Sequence, residues 1–274
     1  MIISVAHHAG GVGKTTTTLN LGYALAGRGK RVLLVDLDPQ ADLSERLRLT
    51  PDQSQPTLAS ILGTGRGDIQ PVQCEWNAVR VDVVPSTLDM AGTELALAAV
   101  VNGRERRLGR VLRPLEARYD TILIDCPPSL SLLTSNALYA SEGVIIPVQA
   151  QDKAYRAIPL VLATIDDVAE YNNDLPKVIG LVVTLTGHTR IEEEVAGAVR
   201  EDYPRWAFNT SIPRLIEYAE DSRWGMPIGA YRPHGKGASA YRELAAEVLS
   251  RISASMPADS QPTGSLRSGA NSHD

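Results

Sequence analysis

Short apolar runs alternate along the chain with longer stretches whose apolar residues recur at helical spacing. The predicted strands span 2–6, 31–37, 79–84, 121–125, 143–148 and 177–185. Several are apolar at consecutive positions, such as Val32-Leu33-Leu34-Val35, which is typical of parallel strands covered on both faces. The predicted helices lie between them, at about 14–27, 87–100, 104–118, 131–140, 153–171, 190–202 and 236–252. This alternation predicts an α/β fold with a doubly wound, mostly parallel sheet flanked by helices.

The alternation of predicted strands and helices ends at residue 252. The composition of the chain argues against several kinds of protein. Residues 253–274 are rich in Ser, Pro, Gly, Asp and Asn, so we expect a disordered polar tail after one domain of residues 1–252. The sequence lacks an apolar run of about 18 residues and a signal-peptide pattern. Its two cysteines are too few for a disulfide framework, and its net charge of −5 argues against a globally basic nucleic-acid binder. These features favour a cytoplasmic protein without a membrane anchor.

A glycine-rich turn joins the first predicted strand to the first predicted helix. It reads Ala9-Gly10-Gly11-Val12-Gly13-Lys14-Thr15-Thr16. The glycines let backbone N–H groups approach a phosphate, Lys14 can reach the β and γ oxygens, and the Thr15 hydroxyl can bind Mg²⁺. The following helix presents its positive end to the anion. The turn therefore predicts a nucleotide-phosphate site, although a standard P-loop has glycine where this chain has His8.

Carboxylates follow two other predicted strands. Asp36 and Asp38 end the first of these, and the alternation of side chains along a strand places both on one side. Asp125 follows Thr121-Ile122-Leu123-Ile124, which is a Walker B pattern. We expect Asp125 at the edge of the sheet beside the glycine-rich turn, where it would hold Mg²⁺ directly or through water.

These three segments together resemble the ParA/Soj-type partitioning ATPases, which belong to the ParA/MinD family with a deviant Walker A loop. The similarity extends over roughly residues 1–252 and includes Ile212-Pro213-Arg214 near the C-terminal end. It implies the P-loop NTPase fold of that family, ATP or ADP with Mg²⁺ as cofactors, and hydrolysis of ATP to ADP and phosphate. It also implies site roles: Asp38 orients the attacking water, Asp36 is structural or close to the metal, and Pro213 and Arg214 border the adenine.

Ala9 is the largest departure from the family pattern. The family has a signature lysine here, which reaches across a nucleotide-sandwich dimer to the partner's phosphates. We expect nucleotide binding to survive, because Lys14, Thr15 and the loop backbone remain, and we expect dimerisation and hydrolysis to be impaired. Three explanations stay open: an engineered substitution, a natural member with another cation in trans, or a weak ATPase. The first is favoured, because the rest of the site is intact.

The resemblance also implies partners. These are a second copy of the chain on ATP binding, DNA of any sequence, and a ParB-like centromere-binding protein that stimulates hydrolysis, which together imply a nucleoid-associated protein. Non-specific DNA binding depends on neutralising phosphates with basic side chains. The candidate DNA-binding residues are Arg104, Arg106, Arg107, Arg110, Arg190, Arg232 and Lys236. A solvated helix face is the alternative reading of the first four, and Glu217, where a typical relative has arginine, predicts a weakened or displaced patch.

The favoured function is chromosome or plasmid segregation, and four rivals stay open. A protein-cargo positioning ATPase can lack the signature lysine, as this chain does at Ala9. A MinD-like membrane-cycling ATPase needs a C-terminal basic amphipathic helix, whereas residues 257–262 are polar and contain prolines. A metabolic ligase or reductase of the same superfamily is the third, and the cluster cysteines of a reductase are missing. The fourth is a nucleotide-gated DNA-binding module without hydrolysis.

Overall fold

A computed structural model describes residues 1–50, 54–187 and 189–255. The strands are β1 Ile2–Val5, β2 Val32–Asp36, β3 Val72–Trp76, β4 Val79–Val84, β5 Thr121–Asp125, β6 Gly143–Gln149, β7 Lys177–Thr186 and β8 Ile212–Pro213. The helices are α1 Lys14–Ala26, α2 Asp42–Arg46, α3 Leu58–Thr64, α4 Met90–Ala98, α5 Arg107–Leu112, α6 Leu132–Ala140, α7 Asp152–Arg156, α8 Ile158–Glu170, α9 Arg190–Asp202, α10 Glu217–Trp224, α11 Ile228–Tyr231 and α12 Lys236–Ser255. Two short 3₁₀ helices, Arg104–Arg106 and Arg113–Ala117, flank α5.

The described strands form one sheet in the order β3-β4-β2-β5-β1-β6-β7-β8. Every neighbouring pair is parallel except β3 and β4, which are antiparallel. The predicted fold class is confirmed. Because β2, β5 and β1 are parallel neighbours, their carboxyl ends meet at one edge of the sheet, where open α/β sheets bind ligands.

Helices cover both faces of the sheet, and apolar side chains fill the space on each side. One layer packs α3 to α9 against side chains such as Ile122 and Ile124, and the other packs α1 and α12 against Leu34 and Leu123. Gly22 lets α1 approach the sheet closely, because a Cβ there would stand 2.5 Å from Leu34 Cδ2. The start of α1 is thereby fixed above the carboxyl ends of β1 and β5.

The structure also differs from the predicted elements. The pattern missed β3 and β8, and it missed α2, α3, α10 and α11, because these elements are short or half-exposed. Two predicted helices are each interrupted before a proline, Pro114 in 104–118 and Pro159 in 153–171, since proline cannot donate a helical hydrogen bond.

The last helix runs three residues beyond its predicted end, to Ser255. The rest of the predicted disordered tail, 256–274, lies outside the described residues. Among the helices that the structure does describe, none has the length and apolarity needed to cross a membrane.

Candidate functional site

The loop between β1 and α1 has the backbone geometry of an anion cradle. Gly11 has a φ of 74° and Gly13 a φ of 87°, both in the left-handed region that favours glycine. The first intrahelical bond of α1 runs from the Thr17 N–H to the Gly13 carbonyl at 2.8 Å, so the preceding amides are those that helix geometry leaves without an intrahelical acceptor. The Thr184 hydroxyl of β7 donates to the Val12 carbonyl at 2.7 Å and ties the loop to the sheet.

The peptide of Ala9 is held from both sides. Its N–H donates to His7 Nδ1 at 2.9 Å, and its carbonyl accepts from Lys14 Nζ at 3.1 Å. Lys14 is buried, which lowers the pKa of its ammonium, while the nearby Asp125 carboxylate opposes that shift most strongly. The largely desolvated ammonium of Lys14 therefore lies at the start of the loop, and the alanine at position 9 contributes only backbone groups to this network.

Asp125 lies at the end of β5 with one carboxylate oxygen unused. Its Oδ1 accepts from the Thr18 hydroxyl at 3.4 Å, whereas the fully buried Oδ2 has no hydrogen-bond partner among the described residues. Burial raises the pKa of Asp125 well above its usual range, Asp36 raises it further, and a hydrogen bond from the Thr15 side chain lowers it. Oxygen ligands are those that Mg²⁺ prefers. The unpaired oxygen beside the Thr15 hydroxyl therefore fits a bound Mg²⁺.

Asp36 makes a different set of contacts. Its Oδ2 accepts from both the Ser44 hydroxyl, at 2.6 Å, and the Ser44 N–H, at 2.9 Å. Its Oδ1 accepts from the Asp38 N–H at 3.2 Å. Burial raises the pKa of Asp36 to about 6 even though these hydrogen bonds lower it. With both oxygens occupied, Asp36 links the end of β2 to α2 and orients the peptide of Asp38.

Asp38 lies just beyond β2 and is 7% exposed. Its Oδ1 accepts from the Gln40 N–H at 2.9 Å, and its own carbonyl accepts from the Ser86 hydroxyl at 2.8 Å. The charge of this carboxyl is among those that raise the pKa of Lys14. Lys14, Asp38 and Asp125 therefore lie close enough at this edge of the sheet for their charges to interact.

Pro213 and Arg214 lie farther along the same edge of the sheet. Pro213 ends β8, which pairs with the part of β7 that carries Thr184. The Arg214 guanidinium pairs with Glu192 of α9 at 3.2 Å, and the Arg214 N–H donates to the Thr186 carbonyl at 2.7 Å. The two residues therefore lie beside β7, the strand whose Thr184 contacts the glycine-rich loop.

The candidate DNA-binding residues lie on several elements. Arg104, Arg106, Arg107 and Arg110 share the segment 104–112, whereas Arg190 begins α9, Arg232 follows α11 and Lys236 begins α12. Many of them have protein partners: Arg107 donates to the Leu62 and Gly63 carbonyls, Arg106 to the Tyr171 carbonyl, Arg190 pairs with Glu194, and Arg232 pairs with Glu217 and Glu220. Arg110 is exposed and has no ion-pair partner within the described ranges.

Four residues around the loop had no signal in the sequence. Thr184 and Ser44 act through single hydroxyl groups on elements without a motif, and His7 is one of two adjacent histidines with no distinguishing neighbour. The fourth is Arg46 of α2, whose Nη1 lies 3.1 Å from the Thr16 Oγ1. Only the folding of distant segments onto the loop reveals these contacts.

Comparison with known proteins gives consistent matches over most of the chain. A family model described as an AAA domain matches residues 1–177. The sporulation initiation inhibitor protein Soj of Bacillus subtilis is 38% identical over 248 residues, which cover 90% of this chain and 97% of that protein. The chromosome-partitioning ATPase Soj of Thermus thermophilus is 38% identical over 252 residues, covering 91% and 96%.

The solved structures give a match of similar extent. Cobyrinic acid a,c-diamide synthase from Mycobacterium smegmatis, with bound ATP analog and magnesium, superimposes with a TM-score of 0.76 at 35% identity. The match covers 92% of this chain and 95% of that one. Overall architecture and sequence therefore agree over most of the chain.

Proposed function

This chain belongs to the ParA/Soj family of chromosome-partitioning ATPases, and from that premise we propose that it binds and hydrolyses ATP in the crevice between the loop Gly10–Thr16, Asp38 and Asp125. The single observation that carries the proposal is the unpaired, buried Oδ2 of Asp125 beside the P-loop. A buried carboxylate oxygen without a partner is costly. A Mg²⁺ ion held by Asp125 would remove that cost.

Each residue of the crevice has a distinct task in this proposal. The amides of Gly10–Thr16 and the positive end of α1 hold the phosphates, and Lys14 exchanges the Ala9 carbonyl for the β and γ oxygens. The Thr15 hydroxyl and Asp125 would hold Mg²⁺, which would supply positive charge to the phosphates. Asp38 orients the attacking water, and Pro213 with Arg214 borders the base.

Asp36 has a supporting task. Its three accepted hydrogen bonds fix the peptide of Asp38 and the start of α2, so we assign it to positioning Asp38 rather than to direct contact with Mg²⁺. A rigid carboxylate contributes more to orienting water than a mobile one, because its orientation is fixed before the reaction.

Replacing the P-loop lysine tests the nucleotide site. Lys14→Ala should abolish binding of MgATP in calorimetry, because the ammonium that would reach the β and γ oxygens is lost. Lys30→Ala is the matched control, since Lys30 is exposed just beyond the opposite end of α1. Micromolar affinity retained by Lys14→Ala would defeat the assignment of the loop.

The proposal extends to segregation of a chromosome or plasmid. ATP would favour a homodimer that binds DNA without sequence preference, which would place the protein on the nucleoid, and a ParB-like protein would stimulate hydrolysis. The exposed Arg110 and the neighbouring Arg104 are the basic side chains that best suit phosphate contact, because their segment carries few acidic residues. Stimulation of turnover by a ParB-like protein and DNA together tests this extension.

Ala9 favours one second candidate, a protein-cargo positioning ATPase, in which the signature lysine can be absent. The two candidates share the nucleotide site and differ in what stimulates turnover. A ParB-like partner that binds a centromere site should raise turnover in the first case and leave it unchanged in the second.

A further inference from the structure

We propose that Arg46 is an additional phosphate-binding residue of the nucleotide site, and that its guanidinium contacts the α-phosphate. This role presupposes the proposed function, because it assigns a residue to the same nucleotide. It adds a cation that the glycine-rich motif does not contain.

The position of Arg46 is fixed by buried neighbours. Arg46 is the last residue of α2, a single-turn helix that begins just after the Asp36–Gln40 segment. Leu43 and Ser44 of this helix are buried, and the Ser44 hydroxyl and N–H both donate to Asp36. Since α2 is anchored in this way, the side chain of Arg46 leaves a rigid element, and it is half-buried.

The Arg46 guanidinium points at the loop end of α1. Its Nη1 donates to the Thr16 hydroxyl at 3.1 Å. Thr16 lies in the first turn of α1, ahead of Thr17, whose N–H makes the first intrahelical bond. The guanidinium therefore lies at the anion-binding end of the helix, where helix amides and a positive side chain act on the same phosphate.

The two cations of the site lie at opposite ends of the loop. Lys14 Nζ lies 3.1 Å from the carbonyl of Ala9, at the entry to the loop, and Arg46 lies at Thr16, at its exit. A P-loop lysine reaches the β and γ oxygens, and the loop amides cradle the α- and β-phosphates. With Lys14 at the entry and directed to the terminal phosphates, the phosphate nearest Arg46 is the α-phosphate.

Arginine suits this position better than a neutral side chain. Its five N–H donors allow one nitrogen to keep the Thr16 hydroxyl while another binds a phosphate oxygen. A hydrogen bond to a charged group stabilises more than one between neutral groups. The Arg46–Thr16 contact therefore positions the guanidinium beside the first turn of α1.

The α-phosphate is present in ATP and in ADP, whereas the γ-phosphate is present only in ATP. Affinities for the two nucleotides therefore distinguish a contact to the α-phosphate from one to the γ-phosphate. We expect Arg46→Ala to weaken binding of both MgATP and MgADP by about tenfold in calorimetry, so that the ratio of the two affinities stays that of the wild type. Arg46→Lys keeps a positive charge and should lose less affinity than Arg46→Ala for both nucleotides.

Arg48→Ala is the matched control. Arg48 follows Arg46 by two residues, is exposed, and donates to the Arg223 carbonyl rather than to the loop. Its replacement should leave both dissociation constants unchanged. Thermal melting without nucleotide separates a packing role from a binding role, because a contact that only joins α2 to α1 would lower the melting temperature of Arg46→Ala and leave both affinities intact.

Two results would overturn the assignment of Arg46. Equal affinities of Arg46→Ala and Arg48→Ala for both nucleotides would remove the guanidinium from the phosphates. Loss of MgATP affinity alone, with MgADP unaffected, would place it on the γ-phosphate instead. A wild-type protein that binds neither nucleotide would contradict the proposed function itself, which is a separate failure.

Discussion

Asp36 on β2 lies in register with Asp125 on β5, so that two buried carboxyl groups end adjacent parallel strands at the same level of the sheet. Burial raises the pKa of each, and the charge of Asp36 adds to the shift of Asp125. Asp36 is satisfied by Ser44 and by the Asp38 amide, whereas Asp125 keeps one oxygen free of partners within the described residues. Asp36 therefore fixes the backbone around Asp38 and Ser44, whereas Asp125 has an oxygen that can bind a cation.

Asp38 is expected to act in turnover and not in binding. Asp38→Asn keeps the size of the side chain and removes the carboxylate that orients water, so ATP hydrolysis should fall at least about a hundredfold while MgATP affinity stays close to wild type. Phosphate release and calorimetry measure the two effects. Glu45→Gln on the exposed side of α2 should change neither. Unchanged hydrolysis by Asp38→Asn would remove Asp38 from its proposed role.

Ala9 is expected to limit the rate of hydrolysis. Ala9→Lys should raise ATP turnover by about tenfold or more, because a cation supplied in trans contributes about 10³–10⁵ in rate in related phosphoryl-transfer reactions. Ala9→Gln is the control, since it adds a long side chain without charge. If both variants turn over ATP at the wild-type rate, the missing lysine is not what restrains the enzyme.

His7 is expected to make folding sensitive to acid. Burial lowers the pKa of His7 to about 4 from the usual value of 6.5. The unfolded chain therefore binds a proton below pH 6.5 that the folded chain accepts only near pH 4, so the free energy of unfolding falls as pH drops through this window. Between pH 7 and pH 5, the titration of His7 lowers the free energy of unfolding by roughly 2 kcal/mol.

The acid sensitivity has a direct test in urea unfolding. His7→Asn keeps an acceptor for the Ala9 N–H and removes the titration, so its free energy of unfolding should change less between pH 7 and pH 5 than that of the wild type. His234→Asn, at an exposed position, should keep the wild-type pH dependence. If the free energy of unfolding changes equally with pH in His7→Asn and in the wild type, a group other than His7 causes the acid sensitivity.

DNA binding is expected to be electrostatic and to involve Arg110. The logarithm of the affinity should fall linearly and steeply with the logarithm of salt concentration, and Arg110→Gln should reduce that slope by about one. Fluorescence anisotropy with MgATP present measures both. Arg31→Gln is the control, because Arg31 is exposed but paired with Asp120 at 2.8 Å. An affinity for DNA that does not change with salt concentration would contradict binding through contacts between arginine side chains and DNA phosphates.

The sequence was sufficient for six of the eight described strands, and it supplied the candidate residues at the centre of the site. The loop Gly10–Thr16 and the strand-end carboxylates are local patterns, and the parallel order of β2, β5 and β1 places strand ends together by geometry alone. Local spacing therefore predicts the residues of the candidate site, and the sheet order brings the ends of their strands to one edge.

The surroundings of the site could not be predicted in the same way. Packing of segments that are distant in sequence brings three further residues to the site: Thr184, Ser44 and Arg46. In the sequence, a functional hydroxyl such as that of Thr184 cannot be told from any other hydroxyl on a buried strand. Local patterns also could not predict that Asp36 is hydrogen-bonded while Asp125 keeps one oxygen unpaired among the described residues. This difference depends on Ser44, which donates to Asp36.

A crystal structure grown with a non-hydrolysable ATP analogue and Mg²⁺ tests the central claim most directly. We expect the triphosphate to be wrapped by Gly10–Thr16, with Lys14 on its terminal phosphates and Mg²⁺ held by Thr15 and Asp125. A crevice that stays empty at saturating nucleotide, or a nucleotide bound away from this loop, would contradict it.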